Sequence, residues 1–363
     1  MSVIQIRPYE KGDESAIVEL LNTVFKGWHP QLKCSSMDFW RWKYIKNPYT
    51  KNFTVLTIDD ERVVGCFHGL AQRIKIGEKI YLSSSGTDLA VEEAYRNKGL
   101  YKKMRALQRE LEKNNVFFHY GVSNNIVLAK INLRENHGFL PYPPYVYMKI
   151  KDIDLHIKKT RKLSFQKKLG YKGLNLFNKL TNINRTIGVS EIDVKQITSF
   201  GENADRFWGK IAGDYNFIVE RSRQYLNWRY CDPQCNEYNV LEATENGEML
   251  GYAVLRIVET DEDYLTGFIV DLLTLSDRED AVTALTGEAV RFFEEKNINI
   301  VQWQITKDHP NTRIASRYGF LNSRIVNPLD YPRETTHIEA NEERLQQSPP
   351  NKIHFVYGDS DWV

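Results

Sequence analysis

The sequence predicts an α/β protein organised as two domains in tandem, and three observations predict it. A strand, a basic glycine turn and a helix follow one another from Asp88 to Leu111. The second half of the chain repeats the landmarks of the first in the same order. The length, 363 residues, is long for one hydrophobic core.

The first observation is local. Leu89–Val91 is a short apolar run that reads as the end of a buried strand. The turn Arg96-Asn97-Lys98-Gly99-Leu100-Tyr101 follows. Leu100, Met104, Leu107 and Leu111 then recur at helical spacing, one apolar face of an amphipathic helix. The first N–H groups of such a helix have no partner within it, and its dipole is positive at that end. Gly99 allows close backbone approach, and Arg96 and Lys98 add charge. This arrangement suits a phosphate or pyrophosphate. The turn contains neither G-x-x-x-x-G-K-[ST] nor G-x-G-x-x-G.

The flanks extend the pattern. Ile4–Tyr9 reads as a first strand, and Asp13 precedes the apolar-periodic Ile17, Leu20, Leu21 and Val24 of a capped first helix. Val116–Val122 reads as a further strand, followed by Asn124, a helical segment and Asn136-His137-Gly138-Phe139. With the R-x-x-G turn, residues 3–148 resemble a GNAT acyltransferase domain. Tyr101 stands where that family usually has Gly or Ala. The resemblance implies two tandem GNAT-like domains, each a twisted mixed β-sheet flanked by helices. It further implies a coenzyme A site. Leu89, Ala90 and Val91 would meet the pantetheine, and the backbone of Arg96, Asn97, Lys98, Gly99, Leu100, Tyr101 and Lys102 would cradle the pyrophosphate, with Asn124 nearby.

The repeat appears when the halves are offset by about 185 residues. Trp42-Lys43-Tyr44 matches Trp228-Arg229-Tyr230, and Val63-Val64-Gly65 matches Met249-Leu250-Gly251. Asp88-Leu89 matches Asp271-Leu272, the following helix matches Ala284–Glu295, and Gly138-Phe139 matches Gly319-Phe320. The cofactor turn is not repeated. Ser276-Asp277-Arg278-Glu279-Asp280 stands there, without glycine and with three carboxylates. Like charge repels a pyrophosphate, so the second copy is expected to keep the fold and lose the cofactor. The expected organisation is a GNAT domain at 1–150, a basic connector at 151–188, a degenerate GNAT-like domain at 189–326, and a C-terminal loop with a final strand (Lys352–Tyr357) at 327–363.

Composition sets limits. Net charge is +2, which implies no nucleic-acid partner. Residues 151–185 carry eight Lys and two Arg against two Asp, so +8, and the remainder sums to −6. That segment reads as a connector with a solvated basic face, or as a weak contact with an anionic membrane surface. No apolar run approaches the ~20 residues that span a bilayer. Cys34, Cys66, Cys231 and Cys235 make no disulfide framework, and no histidine pair accompanies Cys231 and Cys235 as metal ligands. A cytoplasmic protein without a metal is expected.

The resemblance implies direct attack of an amine on the thioester of acetyl-CoA or another acyl-CoA, with a strand bulge and acid–base groups nearby. Gly86 is the expected bulge. Asp88 is the first candidate base, ahead of Glu92 and Glu93, and the terminal carboxylate of Val363 is a further one, as some tandem GNAT families use theirs. The family's usual tyrosine acid is replaced by Arg134, leaving Tyr101, Tyr120 and His119, or water, as candidates. The expected acceptor is a small-molecule or glycan amine, with an amino sugar preferred over an aminoglycoside or peptide amine. A non-catalytic CoA-binding protein is the alternative. Phe39–Tyr44, rich in aromatics and cations, reads first as core packing and second as an acceptor wall.

Overall fold

The computed structural model describes residues 4–28, 34–49, 51–123, 138–139, 144–159, 192–232, 237–261, 264–323, 335–339 and 348–360. The chain forms two compact α/β units that divide at 140/141.

In the first unit, β1 (Gln5–Pro8), β2 (Val55–Asp59), β3 (Arg62–Ile76), β4 (Lys79–Val91), β5 (Phe118–Ser123), β15 (Thr335–Glu339) and β6 (Gly138–Phe139) lie side by side in that order. Only β4 and β5 run parallel along this path. Helices α1 (Glu14–Phe25), α2 (Ser36–Tyr44) and α3 (Leu100–Glu112) complete it. In α1, Ile17, Val18, Leu20 and Leu21 are buried. Asp13 does not cap this helix with its side chain. It takes a paired hydrogen bond from Arg7, at 2.7 and 2.8 Å. In α3, Leu100 and Met104 are buried, and Leu107 and Leu111 pack with Tyr101 against Val55, Phe67 and Met104. That is the apolar face its spacing predicts.

The second unit's sheet runs β8 (Asp193–Ile197), β10 (Tyr238–Glu245), β11 (Glu248–Asp261), β12 (Tyr264–Thr274), β13 (Ile300–Thr306), β7 (Pro144–Ile150) and β14 (Leu321–Asn322). Again one central pair, β12 with β13, is parallel. Helices α4 (Ile153–Lys159), α5 (Asn203–Ile211), α6 (Arg223–Leu226), α7 (Glu279–Glu295) and α8 (Asn311–Arg317) belong here. A π-helical turn, Asn227–Cys231, continues α6, and Phe217 of β9 (Phe217–Val219) bridges to Ile353.

Each sheet thus takes one strand from a distant part of the sequence. β15 separates β5 from β6, and β7 separates β13 from β14. The division at 140 falls ahead of the expected boundary at 150 because β7 pairs with β13. Two expectations for the C-terminal region are corrected. The stretch read as loop contains β15, and the stretch read as a final strand is a 3-10 turn, a single bridge at Ile353 and a second 3-10 turn at Tyr357–Asp359. Buried side chains tie that segment down in place of a ladder. Most of the basic segment lies outside the described residues. Among the described residues, no helix is long and apolar enough to cross a membrane.

Candidate active site

β4 pairs with β3 along its whole length but with β5 only at Ser83–Ser85. Beyond Ser85 the two parallel strands part, and β5 pairs on its other side with β15. Residues Gly86–Val91 therefore present a strand edge that β5 does not cover. The chain leaves Val91 through a 3-10 turn, Glu93–Tyr95, and enters α3 at Gly99.

Two left-handed residues shape that entry, Asn97 (φ +62°) and Gly99 (φ +72°). Glycine adopts this conformation without strain. Among the described residues, a Cβ built on Gly99 meets nothing within 4 Å. The first bond of α3 runs from Lys103 N–H to the Gly99 carbonyl, so the N–H groups of Leu100, Tyr101 and Lys102 point out of the helix end. Arg96 donates from Nε to the Val91 carbonyl at 3.2 Å, and the Lys98 ammonium lies 4.8 Å from the Tyr95 ring. Both cations are held locally, beside the helix end. Tyr101 packs edge-on against Phe67 at 5.4 Å, and its hydroxyl accepts from Arg105 at 3.0 Å.

The bulge is present but not at Gly86, which is regular strand opposite Gly69. Cys66 faces Ala90 and His68 faces Thr87, so Asp88 and Leu89 together oppose Phe67. Asp88 has φ +43°, unusual for a residue with a side chain. Its partners hold it there. Trp28 Nε1 donates to Oδ1 at 2.9 Å, while Lys43 Nζ (2.7 Å) and the Tyr44 hydroxyl (2.5 Å) reach Oδ2. His68 Nδ1 lies 3.2 Å from the Asp88 carbonyl oxygen. A carboxylate already accepting from an ammonium, a phenol and an indole is a poor base, so this geometry gives Asp88 a role in shaping the strand. Glu92 pairs with Arg62 at 3.0 Å, and Glu93 opens the 3-10 turn.

The Phe39–Tyr44 segment is α2, and Phe39, Trp40, Trp42, Lys43 and Tyr44 are buried. The core-packing reading fits, with a task the sequence concealed: two of these residues grip Asp88. Of their counterparts, Tyr230 behaves similarly and donates to Asp271 at 3.1 Å. Trp28, Trp40 and His68 carry no signal in the sequence that would mark them.

The second unit differs at both places. Arg278, at φ −109°, precedes α7 and forms ion pairs with Glu245 and Asp280 at 2.9 and 2.8 Å, while Asp280 also accepts from Ala281 N–H. β12 parts from β13 after Ile269, as β4 parts from β5. Here the chain's own C-terminal segment reaches both strands. Thr306 donates to the Ile353 carbonyl, Tyr357 reaches Gln302, and His354 reaches Asp271 at 3.0 Å. Of the other expected site residues, Asn124, Arg134 and Val363 lie outside the described residues. For His119 and Tyr120 the structure describes the strand path alone.

Comparisons with known proteins agree with this frame. Residues 5–127 match the model of the acetyltransferase (GNAT) domain family. A protein of Amsacta moorei entomopoxvirus that carries a glycylpeptide N-tetradecanoyltransferase name is 25% identical over 170 residues, 47% of this chain and 50% of that protein. The chain thus spans about half the length of this curated relative. A GCN5-related N-acetyltransferase structure from Anabaena variabilis aligns with a TM-score of 0.58 at 11% identity, over 93% of this chain and 71% of that one. A conserved Enterococcus faecalis protein of unknown function, assigned to the N-acyltransferases, aligns at 0.57 with 13% identity, over 84% of this chain and 66% of that one. These structural likenesses establish the fold. The match to the GNAT acetyltransferase domain family is carried by residues 5–127.

Proposed function

We propose that the first unit is an acyl-CoA-dependent N-acyltransferase that moves the acetyl group of acetyl-CoA to a primary amine. One observation carries this reading: the β4 edge from Gly86 to Val91, uncovered by β5, leads to the N-terminus of α3. Pantetheine, a chain of amides, can add to such an edge as a strand would. The pyrophosphate suits the outward N–H groups of Leu100, Tyr101 and Lys102, with Arg96 and Lys98 alongside. The amine nitrogen attacks the thioester carbon, the carbon–sulfur bond breaks, and CoA leaves as the thiolate. The amine proton passes to water or a nearby base, and Tyr101 is our candidate to protonate the thiolate. Asp88 serves by shaping the bulge.

We assign no cofactor to the second unit, our reading of it as a degenerate tandem copy. Its turn is acidic and internally paired, and the C-terminal segment lies along its parted strands.

For the acceptor, an amino sugar is the class read from the sequence. The inward packing of α2 removes one of its supports. The similarity to a protein with a glycylpeptide N-tetradecanoyltransferase name favours a second reading, a peptide amine with a longer acyl donor. Calorimetry with acetyl-CoA, followed by a panel of amino sugars and peptides scored for released CoA, tests both. One acetyl-CoA per chain and turnover with a member of the panel are expected. Two sites, or none, would overturn the single-site reading, and tight binding with no turnover would favour a CoA-binding protein without catalysis.

A further inference from the structure

We propose that His68 is a positioning residue that aims the Leu89 N–H into the cleft beside β4, as a donor to the thioester carbonyl oxygen. The inference rests on the acyl-CoA reading of that cleft and adds the group that orients its polarising donor.

The argument begins with the tautomer. The Trp40 indole can only donate, and its Nε1 lies 3.0 Å from His68 Nε2. That nitrogen therefore accepts, and the ring proton sits on Nδ1. A carbonyl can only accept, so Nδ1–H donates to the Asp88 carbonyl at 3.2 Å. The ring is fully buried and stacked on Tyr44, with centroids 4.4 Å apart. It has no freedom to turn without breaking one of these contacts.

The peptide plane carries the consequence. His68 belongs to β3, so the Asp88 carbonyl points toward β3. In a trans peptide the carbonyl and the next N–H point in opposite directions. The Leu89 N–H therefore points away from β3, to the side where β5 no longer pairs with β4. In a regular antiparallel strand this register would alternate with ladder bonds. The bulge and the positive φ of Asp88 break the alternation and free this donor for the cleft. A fixed N–H aimed at a developing oxyanion stabilises it without reorganisation.

Infrared difference spectroscopy of acetyl-CoA labelled with carbon-13 at the thioester carbonyl reads this polarisation without an acceptor amine. Calorimetry on the same samples reads affinity. His68→Asn retains a donor near the Nδ1 position, whereas His68→Gln retains the acceptor for Trp40 and loses that donor. In the unaltered chain the bound carbonyl should absorb at lower frequency than in buffer. His68→Asn should keep most of that displacement. His68→Gln should lose most of it while binding acetyl-CoA within about threefold of the unaltered chain, because one weak contact is worth little in the ground state. Trp40→Phe, which frees the tautomer, should give an intermediate displacement and serves if His68→Gln does not fold. A displacement unchanged in both His68→Gln and Trp40→Phe, or lost equally in His68→Asn, would overturn the proposal. Failure of the unaltered chain to bind acetyl-CoA would remove the cofactor reading and this inference with it. Binding with no displacement would remove only the inference.

Discussion

Asp88 and Asp271 occupy corresponding places, each where a central strand parts from its parallel neighbour. The surroundings of the two differ in what fills the gap. Asp88 is held by Trp28, Lys43 and Tyr44, its side chain is 8% exposed, and the strand edge beside it is not covered by β5. Asp271 is fully buried among Arg221, Tyr230, Tyr252 and His354, and Asp359 joins it through the same arginine at 2.6 Å. In the first unit β5 leaves the β4 edge, and in the second the C-terminal segment reaches the parted strands. A tyrosine contacts the aspartate in both units. The cations differ. Lys43 meets the aspartate, whereas Arg229 turns to Tyr238 and the carbonyls of Gly358 and Ser360.

The largest expected effect lies in the second unit. Arg221→Leu leaves two carboxylates buried together without their shared cation. Burial raises both Asp271 and Asp359, but Arg221 and His354 outweigh it at Asp271 and hold that carboxyl well below the usual range. Removing one partner of a buried pair costs about 3–5 kcal/mol. Denaturant unfolding at neutral pH should show a loss of that size. Stability within about 1 kcal/mol of the unaltered chain would mean the network is not what stabilises this unit.

The next effect is one of pH, and it acts on both units. Burial pushes His68 down to about 4, the Lys43 charge adding to this and the Asp88 charge opposing it. The folded chain therefore keeps the ring neutral, while the unfolded chain takes up a proton near pH 6.5. This contribution is fully present above about pH 6.5 and is lost as pH falls toward about 4, amounting to about 3 kcal/mol. In the second unit burial pushes His309 down to about 3, so that unit too loses stability as pH falls below about 6.5, while Asp271, held low by its cations, keeps its charge to much lower pH. Hydrogen exchange between pH 7 and 5 should show β3 and β4 losing protection in the unaltered chain and losing less of it in His68→Asn. An equal loss in both would break this account.

A third effect bears on the cofactor turn. Gly99→Asp places a carboxylate at the mouth of α3 and gives a side chain to a residue at φ +72°. Among the described residues no atom crowds the new Cβ, so the loss should appear in binding more than in folding. Acetyl-CoA affinity should fall about a hundredfold, near 2.7 kcal/mol. Unchanged affinity by calorimetry would place the cofactor elsewhere.

How much of this could be read in advance depends on range. The strand–turn–helix at Asp88–Leu111 was legible because every signal in it is local: the apolar run, the glycine and the helical spacing. The places of β7 and β15 were not, because a strand's partner is set by the whole sheet. The sequence points to Gly86 for the bulge because unusual backbone favours glycine. Asp88 adopts φ +43° instead, held by side chains that arrive from residues 28, 43 and 44. The segment 352–357 alternates like a strand, yet His354 and Tyr357 are committed to Asp271 and Gln302. His68 had nothing to distinguish it from any other core histidine until its two ring partners were in place.

The smallest effect concerns the residue by which this turn departs from its family. The Tyr101 ring belongs to the packing of α3 on Phe67, and phenylalanine preserves that ring. Tyr101→Phe therefore isolates the hydroxyl. Arg105 can only donate to that oxygen, so the hydroxyl's own proton is not used in their bond. Such a group can pass its proton to a leaving thiolate. General acid catalysis contributes about 10²–10⁴-fold where it is essential. CoA thiolate is a tolerable leaving group that water can protonate, so a smaller loss, about tenfold in turnover, is expected here, with acetyl-CoA affinity unchanged. Steady-state turnover on an accepted amine, paired with calorimetry, separates the two terms. A fall in affinity with turnover intact would instead make the hydroxyl a cofactor contact. The turn would then hold the anion in this chain by a side chain as well as by its backbone.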